Sequence, residues 1–92
     1  MELKDTIAAR ISMVEALETG FEHRHEIVDL IAYAEDRANA EEALMAALAV
    51  DAAQAGAIMD ARLTRWTVAE RRSLEAELRT LRKQLDVGDE SA

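Results

Sequence analysis

The densest group of potential metal ligands in this 92-residue chain is EHRHE, residues 22–26. His25 and Asp29 lie four residues apart, which places them on one face of a helix. A metal site usually needs three or four convergent ligands, and the chain has no cysteine to supply a thiolate. We therefore interpret this segment as a solvated helix junction and predict no metal and no cofactor.

Candidate catalytic nucleophiles are few, because Ser12, Ser73 and Ser91 fall in helix-forming or terminal sequence. An activated serine usually lies on a tight strand-to-helix turn, beside a general base. Glycines at positions 20, 56 and 88 stand alone rather than in a phosphate-binding loop. These patterns predict no catalytic residue and no nucleotide site.

The arginines leave one enzymatic alternative open. Arg10, Arg24 and Arg62 come from three separate parts of the chain. In length and helicity the chain is similar to the all-helical chorismate mutases, dimers in which Arg and Lys from several helices bind a dianion. The arginine-rich first-helix pattern of that family is missing here, so this alternative ranks below a non-enzymatic role.

The formal net charge of −8 disfavours general binding to nucleic acid or anionic lipid, since a polyanion requires clustered Lys and Arg. The charge is uneven, because residues 62–83 carry seven bases and three acids. A basic helix in an acidic domain is usually paired with its own chain or with a partner subunit, and we predict such pairing here. Direct contact between residues 62–83 and DNA is a weaker alternative.

The elements that carry these residues are predicted to be helices throughout. The chain has no proline and contains long tracts of Ala, Leu, Glu and Arg, which are strong helix formers. Apolar residues at spacings of three and four predict a first helix over about residues 5–19. Gly20 suggests a break near residues 20–23, and HEIVDLIAYA, residues 25–34, predicts a second helix.

Three later helix starts are marked by capping-box patterns, in which a short polar side chain and the residue three positions on satisfy free backbone groups. The pairs are Asn39 with Glu42, Asp51 with Gln54, and Thr67 with Glu70. They predict helices that start near residues 40, 52 and 68. The last helix has leucines at positions 74, 78, 81 and 85, the heptad spacing of a face that packs on another helix.

The simplest arrangement of these elements is an all-α fold of about five helices. The first and last helices pack antiparallel as a coiled-coil stub, and the short alanine-rich helices between them form a knob at one end. We assign residues 1–86 to this single domain and residues 87–92 to an acidic, frayed tail. A chain of this size buries a thin core, so we expect a homodimer.

The N-terminal sequence MELKDTIAARISMVEALE contains acids and no continuous apolar run. It fits neither a secretory signal peptide nor a membrane-spanning helix. We therefore expect a cytoplasmic protein.

The segment AQAGAIMDARLTRWTVAE, residues 53–70, resembles a segment of the A subunits of DNA gyrase and topoisomerase IV. That family carries a string of the form Q-A-x-A-I-L-D-M-R-L-x-R-L-T-x-L-E. The similarity extends over about residues 10–85, and Trp66 replaces a leucine of the family. The polar residues that match the motif are Gln54, Asp60, Arg62, Arg65, Thr67 and Glu70.

In the family, the matched region is the tip of a long antiparallel coiled-coil arm. A small helical knob there meets its copy on the opposite protomer and forms the exit gate, or C-gate, through which DNA leaves. The resemblance implies a non-catalytic homodimer that could also bind a gyrase or topoisomerase IV A subunit, and it implies a packing or rim role for Tyr33. The apolar residues predicted to form the interface are Met45, Leu48, Ile58, Met59, Leu63 and Trp66.

Two other functions stay open at this stage. The chain could be a free-standing structural homodimer with no link to a topoisomerase, or a small helical enzyme of the chorismate mutase type.

Overall fold

The computed structural model describes residues 2–91, and these residues form five α-helices and one short 3₁₀ helix without any strand. This result confirms the predicted all-α fold. The elements are α1 (Glu2–Glu22), α2 (Arg24–Tyr33), α3 (Arg37–Leu48), α4 (Ala52–Asp60), the 3₁₀ turn (Leu63–Trp66) and α5 (Val68–Ser91).

The antiparallel pairing of the first and last helices is confirmed. Phe21, near the end of α1, lies against Arg71 in the first turn of α5, with the guanidinium carbon 3.9 Å from the ring centroid. Further along the pair, Ile11 of α1 and Leu81 of α5 pack against the same apolar cluster. The buried residues of that cluster are Val14, Leu17, Leu74 and Leu78.

Ion pairs flank this apolar contact on both sides. Arg10 donates to both carboxylate oxygens of Glu77, with 2.9 Å between Nη2 and Oε1. Arg82 donates to Glu15 over 3.0 Å. The hydrogen bond from Arg10 lowers the pKa of Glu77, which keeps that carboxylate ionised beside its partner.

The short helices form the predicted knob on the other side of α1. A second buried cluster joins α1, α2, α3 and α4, and it consists of Ala16, Ile27, Leu44, Ala55 and Ile58. The Gln54 side chain of α4 donates to the Ser12 carbonyl of α1 over 3.2 Å. Helix α1 therefore lies between the knob and α5, and both clusters depend on it.

Two of the three predicted caps are present. Asp51 accepts from the Gln54 amide over 2.8 Å while the Gln54 side chain accepts from the Asp51 amide over 3.1 Å, a complete capping box. Thr67 Oγ1 accepts from the Glu70 amide over 3.3 Å. These bonds fix the starts of α4 and α5 near the predicted positions.

The predicted cap at Asn39 is wrong. Asp36 is the N-cap of α3, because its carboxylate accepts from the Asn39 amide over 2.9 Å. The Asn39 side chain instead accepts from the Glu35 amide, so it supports the cap from inside the first turn. Helix α3 consequently starts at Arg37, three residues earlier than predicted.

The break between α1 and α2 falls at His23, within the predicted region. The His23 amide donates to the Thr19 carbonyl, and the His23 carbonyl accepts from the Ile27 amide, so the chain bends with little loss of hydrogen bonding. Gly20 itself is helical and buried. Its role is packing, because a Cβ at that position would lie 3.2 Å from Cζ2 of Trp66.

The whole chain measures 48 × 27 × 16 Å along its principal axes, with α1 and α5 as its long elements. In the part that the structure describes, no single helix is long and apolar enough to cross a membrane. Only α3 and α4 taken together, which are bent by 115°, reach that length and composition. The backbone of α5 is helical to Ser91, but the side chains from Val87 onward and Ala92 lie outside the described residues, so fraying of 87–92 stays a prediction.

Candidate partner-binding site

The polar residues of the 53–70 motif hold the knob and α5 together. Gln54 completes the cap of α4 and reaches α1. Thr67 caps α5 and donates to the Thr64 carbonyl over 3.1 Å, which closes the 3₁₀ turn. Arg65 lies 3.3 Å from Glu70, so the turn is also tied to α5 by an ion pair. These four motif residues therefore act as structural ties.

Asp60 joins the end of α4 to the start of α3. Its carboxylate accepts from Arg37 over 2.7 Å, and Arg37 also donates to Glu41 over 2.7 Å. The hydrogen bond from Arg37 lowers the pKa of Asp60. The pair is exposed, so it orients two helix ends more than it adds stability.

Trp66 packs within its own chain. Its ring edge lies close to Gly20, and it meets the Phe21 ring in an edge-to-face contact with centroids 6.4 Å apart. Arg71 donates to the Trp66 carbonyl over 3.2 Å and also stacks on Phe21. The side chain that the sequence suggested as an interface anchor is therefore partly buried between α1 and the 3₁₀ turn.

A small cavity of about 200 Å³ is lined by Trp66 and Glu18, among others, and each of these two residues has a buried polar atom without a hydrogen-bond partner. These atoms are Nε1 of Trp66 and Oε1 of Glu18. Desolvation raises the pKa of Glu18, and the nearby carboxylate of Glu75 adds to the effect. At the junction between α1 and α5, the ionised form of the Glu18 carboxyl group is therefore disfavoured.

The residues predicted for a dimer interface differ widely in exposure. Ile58 is only 5% exposed and belongs to the knob core, so within one chain its contacts are internal and its role in pairing stays a prediction. Met45, Leu48 and Met59 are half-buried at the edge of that core. Leu63 is 78% exposed, since the 3₁₀ turn directs it away from the chain.

An open groove of about 540 Å³ runs between α1, α4 and the 3₁₀ turn. Its α4 side is built from small residues, and at Gly56 a Cβ would meet no atom within 4 Å. Four charged residues of the described chain line the groove. Arg10, Asp60 and Arg65 are each paired within the chain, and the fourth is Arg62. Arg62 has no hydrogen-bond or ion-pair partner among the described residues, so the groove has one free cation.

The groups that suggested chemistry remain dispersed. His23 lies 3.4 Å from Glu26 at the exposed helix junction, and no set of three or more potential ligands converges in residues 2–91. Arg24 donates to the Phe21 carbonyl and stacks on the Phe21 ring, 4.2 Å from the centroid. Of the three arginines that suggested an anion-binding enzyme, Arg10 and Arg62 line the groove and Arg24 does not.

Comparison with known proteins shows what the sequence of this chain is similar to. No protein-family model matches the chain. It is 34% identical over 73 residues, 79% of its length, to the DNA gyrase A subunit of Campylobacter fetus. It is also 34% identical over 77 residues, 84% of its length, to the DNA gyrase A subunit of Campylobacter jejuni subsp. jejuni serotype O:2. The chain resembles one short region of the DNA gyrase A subunit.

The match to the two gyrase A subunits confirms the resemblance predicted from residues 53–70. The chain spans only 8% and 9% of the two proteins, so most of each has no counterpart in it. The similarity therefore characterises a region, and the activity of the whole gyrase protein is not transferred with it.

One surface of this gyrase-like region was missed by the sequence reasoning. Helix α2 carries Val28, which is 59% exposed, and Tyr33, which is 88% exposed. On the same helix Ile31 is 38% exposed, whereas Ile27 is 2% exposed. Helical periodicity places Val28 about 100° from Ile27, and this signal could have indicated that Val28 faces solvent.

Proposed function

We propose that the chain is a non-catalytic pairing module that associates with a second copy of itself in the manner of the gyrase A exit gate. Through the same surface it would bind the A subunit of gyrase or topoisomerase IV and modulate how such subunits pair. The observation that carries this proposal is the 34% identity to the DNA gyrase A subunit over about four fifths of the chain.

The architecture supports the proposal. An antiparallel helix pair with a knob of short helices gives a rigid support for a surface at one end. Exposed or half-buried apolar side chains on the knob, Leu63 and Met59 among them, would supply the pairing energy. Large apolar anchors commonly dominate such energies.

The structural roles of the motif residues also favour pairing over catalysis. Gln54, Arg65, Thr67 and Glu70 are engaged in caps and ion pairs, which leaves them poorly placed to act on a substrate. Tyr33 is exposed at the end of α2, where we assign it to the rim of the pairing surface.

The decisive experiment is a measurement of oligomeric state. Sedimentation velocity at several micromolar concentrations should give the mass of a dimer that dissociates on dilution. Addition of the gyrase A subunit to the labelled chain should then shift its sedimentation coefficient. A chain that stays monomeric throughout the series would contradict self-pairing, and an unshifted coefficient would contradict binding to gyrase.

One alternative is a structural homodimer without a topoisomerase partner. A dimer that ignores the A subunits of both gyrase and topoisomerase IV would support this alternative. Turnover of chorismate would instead support the enzymatic one.

A further inference from the structure

Two surfaces of the chain have complementary properties and no intramolecular use. The first is the groove between α1, α4 and the 3₁₀ turn, which has small side chains along α4 and the free cation Arg62. The second is the outer face of α2. The floor of the groove includes Leu17 of the cluster between α1 and α5, whereas the exposed residues of α2 belong to neither buried cluster.

The groove has the shape of a trough for a helix. Ala52 and Gly56 lie one turn apart on α4, as do Ala53 and Ala57, and all four line the groove. Small side chains in this pattern let a second helix approach closely. Leu63 directly follows the lining residue Arg62 in the sequence and is 78% exposed, but it is not itself part of the groove lining.

The outer face of α2 has the matching chemistry. Val28 and Ala32 are exposed one turn apart, and Asp29 and Tyr33 are exposed beside them. Asp29 has no hydrogen-bond or ion-pair partner among the residues that the structure describes. In the described part of the chain, the face therefore combines apolar side chains with one unpaired carboxylate and with His25, one turn before Asp29, whereas the groove combines small side chains with one unpaired cation.

We propose that α2 of one copy docks in the groove of a second copy, with Asp29 paired to Arg62 across the contact. This inference rests on the proposed self-pairing and names the surfaces that perform it. A two-fold axis would repeat the contact, so each copy supplies one α2 and one groove.

Charge complementarity selects this occupant over others. On the exposed face of α2, Asp29 is a carboxylate without a hydrogen-bond or ion-pair partner among the described residues. In the groove, Arg10 and Arg65 already have carboxylate partners within the chain, so Arg62 is the lining arginine that Asp29 of a second copy would neutralise. A basic helix in the groove would leave Arg62 unpaired beside like charges. An acidic, apolar helix removes that cost and covers exposed apolar area on both sides.

A charge exchange tests the pairing of Asp29 with Arg62. Asp29→Arg and Arg62→Asp should each weaken the dimer about tenfold or more, because each places like charges in contact. The double variant should recover most of the wild-type dissociation constant, measured by sedimentation equilibrium at low salt. The matched controls are Glu42→Arg and Arg72→Asp, two exposed positions outside both surfaces that carry the same charge changes.

A steric test addresses the groove itself. Gly56→Leu should fill the trough without an internal clash, since a Cβ there meets no atom within 4 Å. The variant should keep its helical circular dichroism and should be at least as stable as the wild-type monomer, because glycine is unfavourable inside a helix, and it should dimerise about tenfold more weakly or worse. A leucine at Ala9, exposed on α1 outside the groove lining, should leave dimerisation unchanged.

The outcomes separate this inference from the proposed function. If the wild type is monomeric, both fail. If the wild type is a dimer and the Asp29, Arg62 and Gly56 variants behave as their controls do, the groove contact is wrong and self-pairing stands. Weakened single variants without recovery in the double variant would contradict the Asp29–Arg62 pair, and an assembly larger than a dimer would contradict the two-fold arrangement.

Discussion

At the residue scale, Trp66 depends on the absence of a side chain at Gly20. The indole lies next to Gly20, and a Cβ on residue 20 would lie 3.2 Å from it. The enlargement from the leucine of the gyrase-like motif to tryptophan is thus accommodated inside the chain. It tightens the junction of α1 with the 3₁₀ turn.

The coupling of these two residues can be measured. Glycine within a helix costs about 1 kcal/mol of folding stability relative to alanine, so helix propensity alone would make Gly20→Ala stabilising. Crowding of the new Cβ against Trp66 should cancel this gain. In a Trp66→Leu background the gain should reappear, which gives a coupling of about 1 kcal/mol in a double-mutant cycle by chemical denaturation. Gly56→Ala is the control, since its Cβ has open space and it should stabilise both backgrounds equally. Additive effects at positions 20 and 66 would refute the packing explanation.

Glu18 makes a second prediction at this scale. Its folded-state pKa is raised above 4.5 by desolvation and by Glu75, so its contribution favours the folded state at low pH. That contribution is lost as the pH rises through the raised pKa. Glu18→Gln should therefore raise the melting temperature at neutral pH. The gain in unfolding free energy should be less than about 1 kcal/mol, because the carboxyl group is partly screened by solvent.

The effect of Glu18→Gln should shrink as the pH falls, because the wild-type carboxyl group then becomes neutral as well. Thermal melts at neutral pH and in mild acid, below the raised pKa, check this dependence. Glu42→Gln is a suitable control, since Glu42 is exposed and is not one of the carboxylates that raise the pKa of Glu18. If Glu18→Gln stabilised the protein more in acid than at neutral pH, the predicted direction of the pH dependence would be wrong.

At the element scale, local polar patterns predicted helix starts well where cap and helix were adjacent in sequence. The Asp51–Gln54 box and the Thr67 cap depend only on neighbouring backbone groups, so their sequence signals suffice. Asn39 failed because Asp36 competes for the same role three residues earlier and accepts from the Asn39 amide itself. The 3₁₀ turn was missed because its four residues carry no capping or periodic signal.

The end of α3 carries a local strain that sequence inspection did not identify. Ala49 adopts the left-handed conformation, with φ 55° and ψ 41°. This conformation costs a residue with a Cβ roughly 1 kcal/mol, and glycine adopts it freely. Ala49→Gly should raise stability by about 0.5–1 kcal/mol in urea denaturation, while Ala46→Gly inside α3 should lower it by a similar amount. Equal losses at both positions would contradict the strain.

At the scale of the whole molecule, the sequence predicted the antiparallel helix pair, the knob and the relationship to gyrase A. Helical periodicity and the 53–70 motif were sufficient for these features. The distribution of exposure was harder to predict, because it depends on how α4 crosses α1. Ile58 and Leu63 lie only five residues apart in the sequence, yet Ile58 is 5% exposed and Leu63 is 78% exposed.

Ile58 and Leu63 therefore provide a test that separates folding from pairing in the intact chain. Ile58→Val removes a buried methylene, so it should cost about 1 kcal/mol in unfolding free energy and leave the dissociation constant of the dimer nearly unchanged once the folded fraction is corrected. Leu63→Ser removes exposed apolar surface, so it should leave the unfolding of the dilute monomer unaltered and weaken dimerisation about tenfold. Denaturation of dilute protein and sedimentation equilibrium measure the two quantities independently. If Ile58→Val abolished dimerisation and Leu63→Ser left it intact, the roles given to these two residues would be reversed. The copies would then meet through a rearranged core rather than through the surface of the folded chain.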